Sequence, residues 1–229
     1  MKYFCIGVWK TATTTMGLAL NELIGGSHMG WNISNRRRHL EGKVDELKEI
    51  IDKHTTFDDT PFNTMKMIHL VKNEYPNAKF VLTERDPYEW IDSMIRWNFD
   101  DMAHPMIGST YTNAGRVKSK LTKMEIDNHK KTSPVYRIYK EELEFFKFKI
   151  ARMEVLSENK DAWITWRHNR KEYLQDLLGG RLLTLKFSEE KPLTWKPLSE
   201  WIHKHNPDIK IRHGELKKYN VNKYKKNKT

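Results

Sequence analysis

Three features of this 229-residue chain predict an α/β domain, with a central parallel sheet flanked by helices on both faces. Short apolar runs alternate with longer stretches of helical periodicity. Helices stand between successive runs, so the strands must be joined by crossovers and lie parallel. Two junctions, Gly7 to Thr15 and Glu84 to Pro87, read as strands passing directly into helices. The length suits one domain over residues 1–216, followed by a basic tail at 217–229.

Taken in order, Tyr3 to Val8 (YFCIGV) is a compact apolar run and predicts a buried strand. A helix near Thr15 to Ile24 follows and stops at Gly25–Gly26. Leu40 to His54 carries Leu40, Val44, Leu47 and Ile51 at helical spacing. Thr55 to Asp58 is a short presumed strand, too brief to assign alone. Asp59, Thr60 and Pro61 then open a helix whose apolar face holds Phe62, Met65, Ile68, His69 and Val71. Lys79 to Thr83 (KFVLT) predicts a clear strand. Asp86 reads as the N-cap and Pro87 as the first residue of the next helix. Residues 98–133 lack steady periodicity and read as loops with a short helix, in the manner of a lid. Helices at about 134–158 and 160–178, a strand at Arg181 to Phe187 and a helix at Leu198 to His205 complete the pattern.

Composition narrows the class. Hydrophobic residues make up 38% and aromatics 11%, too much packing material for a disordered chain. A single cysteine excludes an internal disulfide. No apolar run approaches the roughly 20 residues of a membrane span, and Met1 to Lys10 lacks the layout of a signal peptide. The expectation is a soluble cytoplasmic protein. Net charge is +11, a field that draws anionic ligands. Six lysines and no acid fall within 217–229, so the tail holds about half of the excess and reads as a frayed, solvated end. Ten histidines show no metal-ligand spacing, and no metal is expected.

Chemistry concentrates in Gly7-Val8-Trp9-Lys10-Thr11-Ala12-Thr13-Thr14-Thr15. A strand-to-helix turn at the carboxyl edge of a parallel sheet presents backbone N–H groups and the positive helix end. Lys10 adds a full charge and the threonines add hydroxyl donors, which suits a phosphate or sulfate. The loop is not a Walker A sequence, because no Gly-Lys-[Ser/Thr] precedes the helix.

Lys10-Thr11-Ala12-Thr13-Thr14 resembles the phosphosulfate loop of the sulfotransferase family that uses 3′-phosphoadenosine 5′-phosphosulfate (PAPS), with Ala12 where glycine is commoner. Pro76 to Pro87, continuing through Trp90 to Ser93, resembles that family's 3′-phosphate element, a strand ending in Arg85-Asp86-Pro87 with a serine eight residues after the arginine. Softer likenesses include Asp59-Thr60-Pro61, His28-Met29, Trp166-His168-Asn169, and Leu182 to Glu190 followed by Trp195-Lys196-Pro197-Leu198. Together they span most of residues 3–205. The resemblance implies a P-loop NTPase-like three-layer fold. It also implies transfer of a sulfuryl group from PAPS to a hydroxyl or amine, releasing 3′,5′-adenosine bisphosphate (PAP).

On that resemblance Lys10, Thr11, Ala12, Thr13, Thr14 and Thr15 would hold the 5′ end of PAPS. Arg85 and Ser93 would hold the 3′-phosphate, and Phe187 would face the adenine. Asp59 would take the acceptor proton, although its place before Pro61 equally suits a helix cap. Asp58, His28 and His104 are rival bases. Cys5 reads as a core thiol, Arg36-Arg37-Arg38 as a solvated turn rather than an acceptor-binding patch, and the tryptophans mostly as core, with Trp9 beside the loop a candidate contact for nucleotide or acceptor. A small-molecule or glycan acceptor is expected, with specificity in 98–133 and 28–40, where Trp31, Trp97 and Tyr111 offer flat surfaces. Acceptor identity and oligomeric state stay open. Two other readings stand: a P-loop kinase or NTPase using magnesium-ATP, and a non-catalytic basic module for nucleic acid. The missing Gly-Lys-[Ser/Thr] and the Arg85–Ser93 pair count against the first. The absence of a recognised nucleic-acid motif counts against the second.

Overall fold

The computed structural model describes residues 1–96, 134–147 and 160–217. Its strands are β1 (Tyr3–Cys5), β2 (His28–Met29), β3 (Thr56–Phe57), β4 (Lys79–Arg85) and β5 (Leu182–Phe187). They form one parallel sheet in the order β2-β3-β1-β4-β5. The helices are α1 (Thr13–Ile24), α2 (Ile33–Leu40), α3 (Val44–Lys53), α4 (Met65–Glu74), α5 (Pro87–Arg96), α6 (Pro134–Phe145), α7 (Lys160–Leu178) and α8 (Trp195–His205).

The central strand shows why its sequence is uniformly apolar. Phe4 and Ile6 point to one face, where they pack with Leu47, Ile51, Ile68, Val71, Phe80, Leu82 and Leu174. Tyr3 and Cys5 point to the other, among Met16, Leu20, Val81, Leu185, Leu198 and Ile202. A strand covered on both faces needs apolar side chains at every position. Phe4 and Phe57 stack across β1 and β3 with centroids 4.4 Å apart. A further cluster ties α5, α6 and α7 to the loop after β1, through Val8, Trp9, Trp90, Ile138, Trp163 and Trp166.

The topology creates a crevice. From β1 the chain crosses toward β2, and from β4 it crosses the opposite way toward β5. The loops leaving these adjacent strands therefore part at the carboxyl edge, the usual place for a ligand in an open parallel sheet.

Several boundaries differ from expectation. Strand β1 ends at Cys5, so the loop begins at Ile6. The helix expected over Leu40 to His54 is α3 alone, since Leu40 ends the separate helix α2 and Gly42 between them has φ of +70°. Helix α4 begins at Met65, not Pro61, because its cap is Thr64, whose side chain accepts from Met67 N–H at 3.3 Å. Helix α8 starts at Trp195, three residues before Leu198. The expected lid at 98–133, with Trp97, His104 and Tyr111, lies outside the described residues. So do residues 148–158 of the first long helix and the tail beyond 217.

Candidate functional site

The loop between β1 and α1 is held in an unusual shape. Lys10 and Ala12 both have φ of +61°. For a side chain other than glycine that conformation costs about 1–2 kcal/mol per residue. Ala12 occupies the N-cap position of α1 and has no side chain that could cap it, and the first turn holds no acid. The positive helix end is thus not neutralised by a cap or a carboxylate of its own.

Beneath the loop, buried groups fix this shape. Thr11 is fully buried, and its Oγ1 donates to Val8 O at 2.6 Å and lies 3.1 Å from Thr83 Oγ1. Its hydroxyl is therefore spent inside the loop. Thr13 and Thr15 are also buried, while Lys10, Ala12 and Thr14 are half-buried. A Cβ on Gly7 would collide with Thr83 Oγ1 and Thr11 Oγ1, so only glycine fits there. Asn63 Nδ2 donates to Gly7 O at 2.9 Å. Arg170, from α7, donates to Ile6 O at 3.2 Å and to Asn63 O at 2.6 Å. Its Nε meets Glu142 Oε2 at 3.4 Å, and Glu142 Oε1 accepts from Met65 N–H at 2.6 Å. Burial pushes the Glu142 carboxyl up, while Arg170 and the Met65 amide pull it back. Trp9 is buried in the third core cluster, and its carbonyl accepts from Trp90 Nε1 at 2.8 Å.

On the neighbouring strand, Arg85 ends β4. Its Nε meets Glu89 Oε2 at 3.2 Å and its Nη2 meets Glu189 Oε1 at 3.0 Å. Glu89 also accepts from Glu189 N–H at 3.0 Å and 3.1 Å, which draws the segment after β5 over Arg85. Arg167, stacked 4.9 Å from the Trp90 ring, donates to Arg85 O and fixes the strand end. Burial holds the Arg167 guanidinium below its ordinary value, and Glu84 and Asp86 raise it again. Asp86 caps α5 as expected, accepting from Tyr88 and Glu89 N–H at 3.0 Å each. Phe187 is the register partner of Arg85, and it packs on the same core cluster as Ala12. Ser93 lies on α5, 8% exposed, and no hydrogen bond joins it to Arg85.

On the other side of β1, the end of β3 leads into Asp58 and Asp59. Asp59 has φ of +59°, and its Oδ1 accepts from Thr60 N–H at 2.6 Å, Thr60 Oγ1 at 3.2 Å and Arg36 Nη2 at 3.3 Å. It caps no helix, since α4 begins six residues later. Arg36 is not in a solvated turn: it lies on α2, is 3% exposed and stacks 5.1 Å from the Trp31 ring centroid. Asp58 is 2% exposed, with Oδ2 3.6 Å from His28 Nε2. Its carboxylate lies against Gly17 of α1, where a Cβ would collide with it. Burial pushes the Asp58 carboxyl up, and His28 draws it down. His28 Nδ1 in turn lies 3.0 Å from Thr56 Oγ1. Asp58 is thus enclosed behind α1 with His28 against it, while the His28 and Asp59 side chains are 16% and 15% exposed.

Sequence reading missed Asn63, Arg170 and Glu142 beneath the loop, the contact of Arg36 with Asp59, and Glu89 and Glu189 on Arg85. Apart from Glu89, one helical turn from Arg85, none of these carried a local signal, since their partners lie far along the chain. Among the described residues no three His, Cys, Asp or Glu side chains are grouped to hold a metal ion. No described helix is long and apolar enough to cross a membrane.

No curated protein matches the chain. The sequence model of the family described as a sulfotransferase domain matches residues 2–217. That span takes in every strand, the strained loop, Asp59 and Arg85, and by it the chain belongs to the sulfotransferase domain family.

Proposed function

We propose that this protein moves a sulfuryl group from PAPS to a hydroxyl or amine on a small molecule or glycan, and releases PAP. The observation that carries the proposal is the pairing of two cationic anchors on adjacent strands. One is the Lys10 loop with its uncapped helix end, and the other is Arg85 at the end of β4. Together they suit a nucleotide that carries an anionic group at each end. Lys10 and the backbone N–H groups of residues 12–15 hold the 5′ phosphosulfate. Thr13, Thr14 and Thr15 add donors there, while Thr11 supports the loop from below. Arg85 makes a two-pronged contact with the 3′-phosphate, and Ser93 supplements it. Phe187, beside Arg85, borders the adenine.

The reaction is an in-line displacement. The acceptor oxygen forms a bond to sulfur as the bond from sulfur to the 5′-phosphate oxygen breaks. Charge that builds on the leaving oxygen meets Lys10 and the α1 amides. Asp59 takes the acceptor proton, since its side chain reaches the edge while Asp58 is enclosed. No step asks for a metal.

Thermal melts test the donor site. PAP without metal is expected to raise the melting temperature, by the equivalent of about 2.7 kcal/mol at 100 times its dissociation constant. AMP, lacking the 3′-phosphate, should do much less. A larger shift from magnesium-ATP than from PAP would overturn the proposal in favour of a kinase.

A further inference from the structure

We infer that Arg36 is the positioning residue of the proton-accepting carboxylate. It holds Oδ1 of Asp59 so that Oδ2 faces the acceptor, and Trp31 holds Arg36. The inference rests on the sulfuryl-transfer proposal and on Asp59 as its proton acceptor.

Every hydrogen bond that Asp59 accepts among the described residues falls on Oδ1, and none falls on Oδ2. Thr60 alone leaves the carboxylate able to pivot, because both of its donors belong to the next residue. The Arg36 contact comes from a different element, α2, and removes that freedom. Such orientation is worth much in catalysis, since a displaced reacting group costs rate steeply.

The pair is poorly built for stability. A guanidinium and a carboxylate bind best through two parallel hydrogen bonds, yet here one nitrogen meets one oxygen at 3.3 Å. Arg36 Nε is buried and meets no hydrogen-bond partner among the described residues. Taking the guanidinium out of water is costly, and an apolar residue would anchor α2 as well. What an apolar residue could not do is grip one oxygen of Asp59. Trp31 completes the arrangement: its ring is 49% exposed, covers the Arg36 guanidinium, and fixes its plane.

The test compares steady-state turnover of PAPS, with water and a panel of phenols and monosaccharides as acceptors, and the melting shift given by PAP. Arg36→Met is expected to lower kcat by about 10- to 100-fold, with KM for PAPS and the PAP shift changed by less than roughly twofold. Arg36→Lys restores part of the loss. In an Asp59→Asn background, Arg36→Met should cost nothing further, since a residue that acts through Asp59 has nothing left to position. Equal losses in both backgrounds, or an unchanged kcat in Arg36→Met, would overturn the inference. Should Arg36→Met fail to fold, Trp31→Ala removes only a half-exposed ring, and its effect on kcat must likewise vanish in Asp59→Asn. A wild-type protein that shows no PAP shift sinks the sulfuryl-transfer proposal itself. A normal PAP shift with an unaffected kcat sinks only the role of Arg36.

Discussion

Mild acid should destabilise this fold through His39, and the structure sets the size of the effect. His39 lies on α2, 2% exposed. Its Nε2 is 3.3 Å from Glu141 Oε2 on α6, while its Nδ1 is buried with no partner among the described residues. The neutral ring with its proton on Nε2 fits this setting. A second proton would sit on Nδ1, facing no acceptor. Burial, with Lys66 adding to it, accordingly lowers the pKa from 6.5 to about 4. Between those values the unfolded chain binds a proton that the folded chain refuses, so stability falls as pH drops from 6.5 toward 4. At pH 5 the loss from this one group is about 2 kcal/mol. Asp58, Glu141 and Glu142 act in the opposite sense, because burial raises all three carboxyls and favours the fold as they protonate. The measurement must therefore be a difference. His39→Gln keeps a donor toward Glu141 but cannot take a proton. Urea melts of both proteins at pH 7 and pH 5 should show the wild type losing about 2 kcal/mol more than the variant. Parallel losses would refute the placement of His39 as a buried neutral ring.

Three further outcomes are expected. Lys10→Ala should cut sulfuryl transfer by about 10²–10³ in rate while PAP binding changes far less, measured by single-turnover kinetics and calorimetry; near-normal transfer would dismiss the loop assignment. Glu189→Gln should tighten PAP, because the 3′-phosphate must displace that carboxylate from Arg85. An exposed ion pair is worth about 0.2–1 kcal/mol, so the gain is roughly 1.4- to 5-fold, and weaker binding by calorimetry would contradict the competition. Gly7→Ala should lose about 1–3 kcal/mol by overpacking against Thr11 and Thr83 and also lose the PAP shift, so a melting curve like wild type would show the loop packing to be misread.

What the sequence revealed and what it hid follow from where each residue finds its partners. The β4–α5 junction was legible because its signals are local: an apolar run, then Asp86 bonding the next two amides of its own helix. Helix α2 was illegible because it has no apolar stripe. Its buried residues are Asn35, Arg36 and His39, and the last two meet partners far along the chain. Strand β2 has two residues, too few for a period to show. The start of α4 was misplaced because Asp59-Thr60-Pro61 imitates a cap, while Thr64 does the capping. The Arg170–Glu142 pair looked like ordinary charges on two helices. Only the packing of α6 against α7 reveals that both are buried.

That buried pair explains how the loop keeps a shape its own residues disfavour. Lys10 and Ala12 each give up about 1–2 kcal/mol to a left-handed backbone, and no glycine relieves either position. Contacts from below oppose that cost. Thr11 ties the loop to Val8 and Thr83, Asn63 holds Gly7, and Arg170 holds Ile6 and Asn63 at once. Arg170 is charged and buried, so its own cost is met only while Glu142 and the two carbonyls stay in place. The loop, the 59–64 segment and two helices therefore hold their arrangement together or lose it together. Under the proposed function such a site would not wait for the nucleotide to order it; the cost of ordering would be borne in folding and the binding energy left for the anion itself. The same contacts tie the loop after β1 to the 59–64 segment, because Asn63 holds Gly7 O while Arg170 grips Asn63 O. Leaving group and acceptor would then be handled by two ends of one buried network rather than by two independent loops.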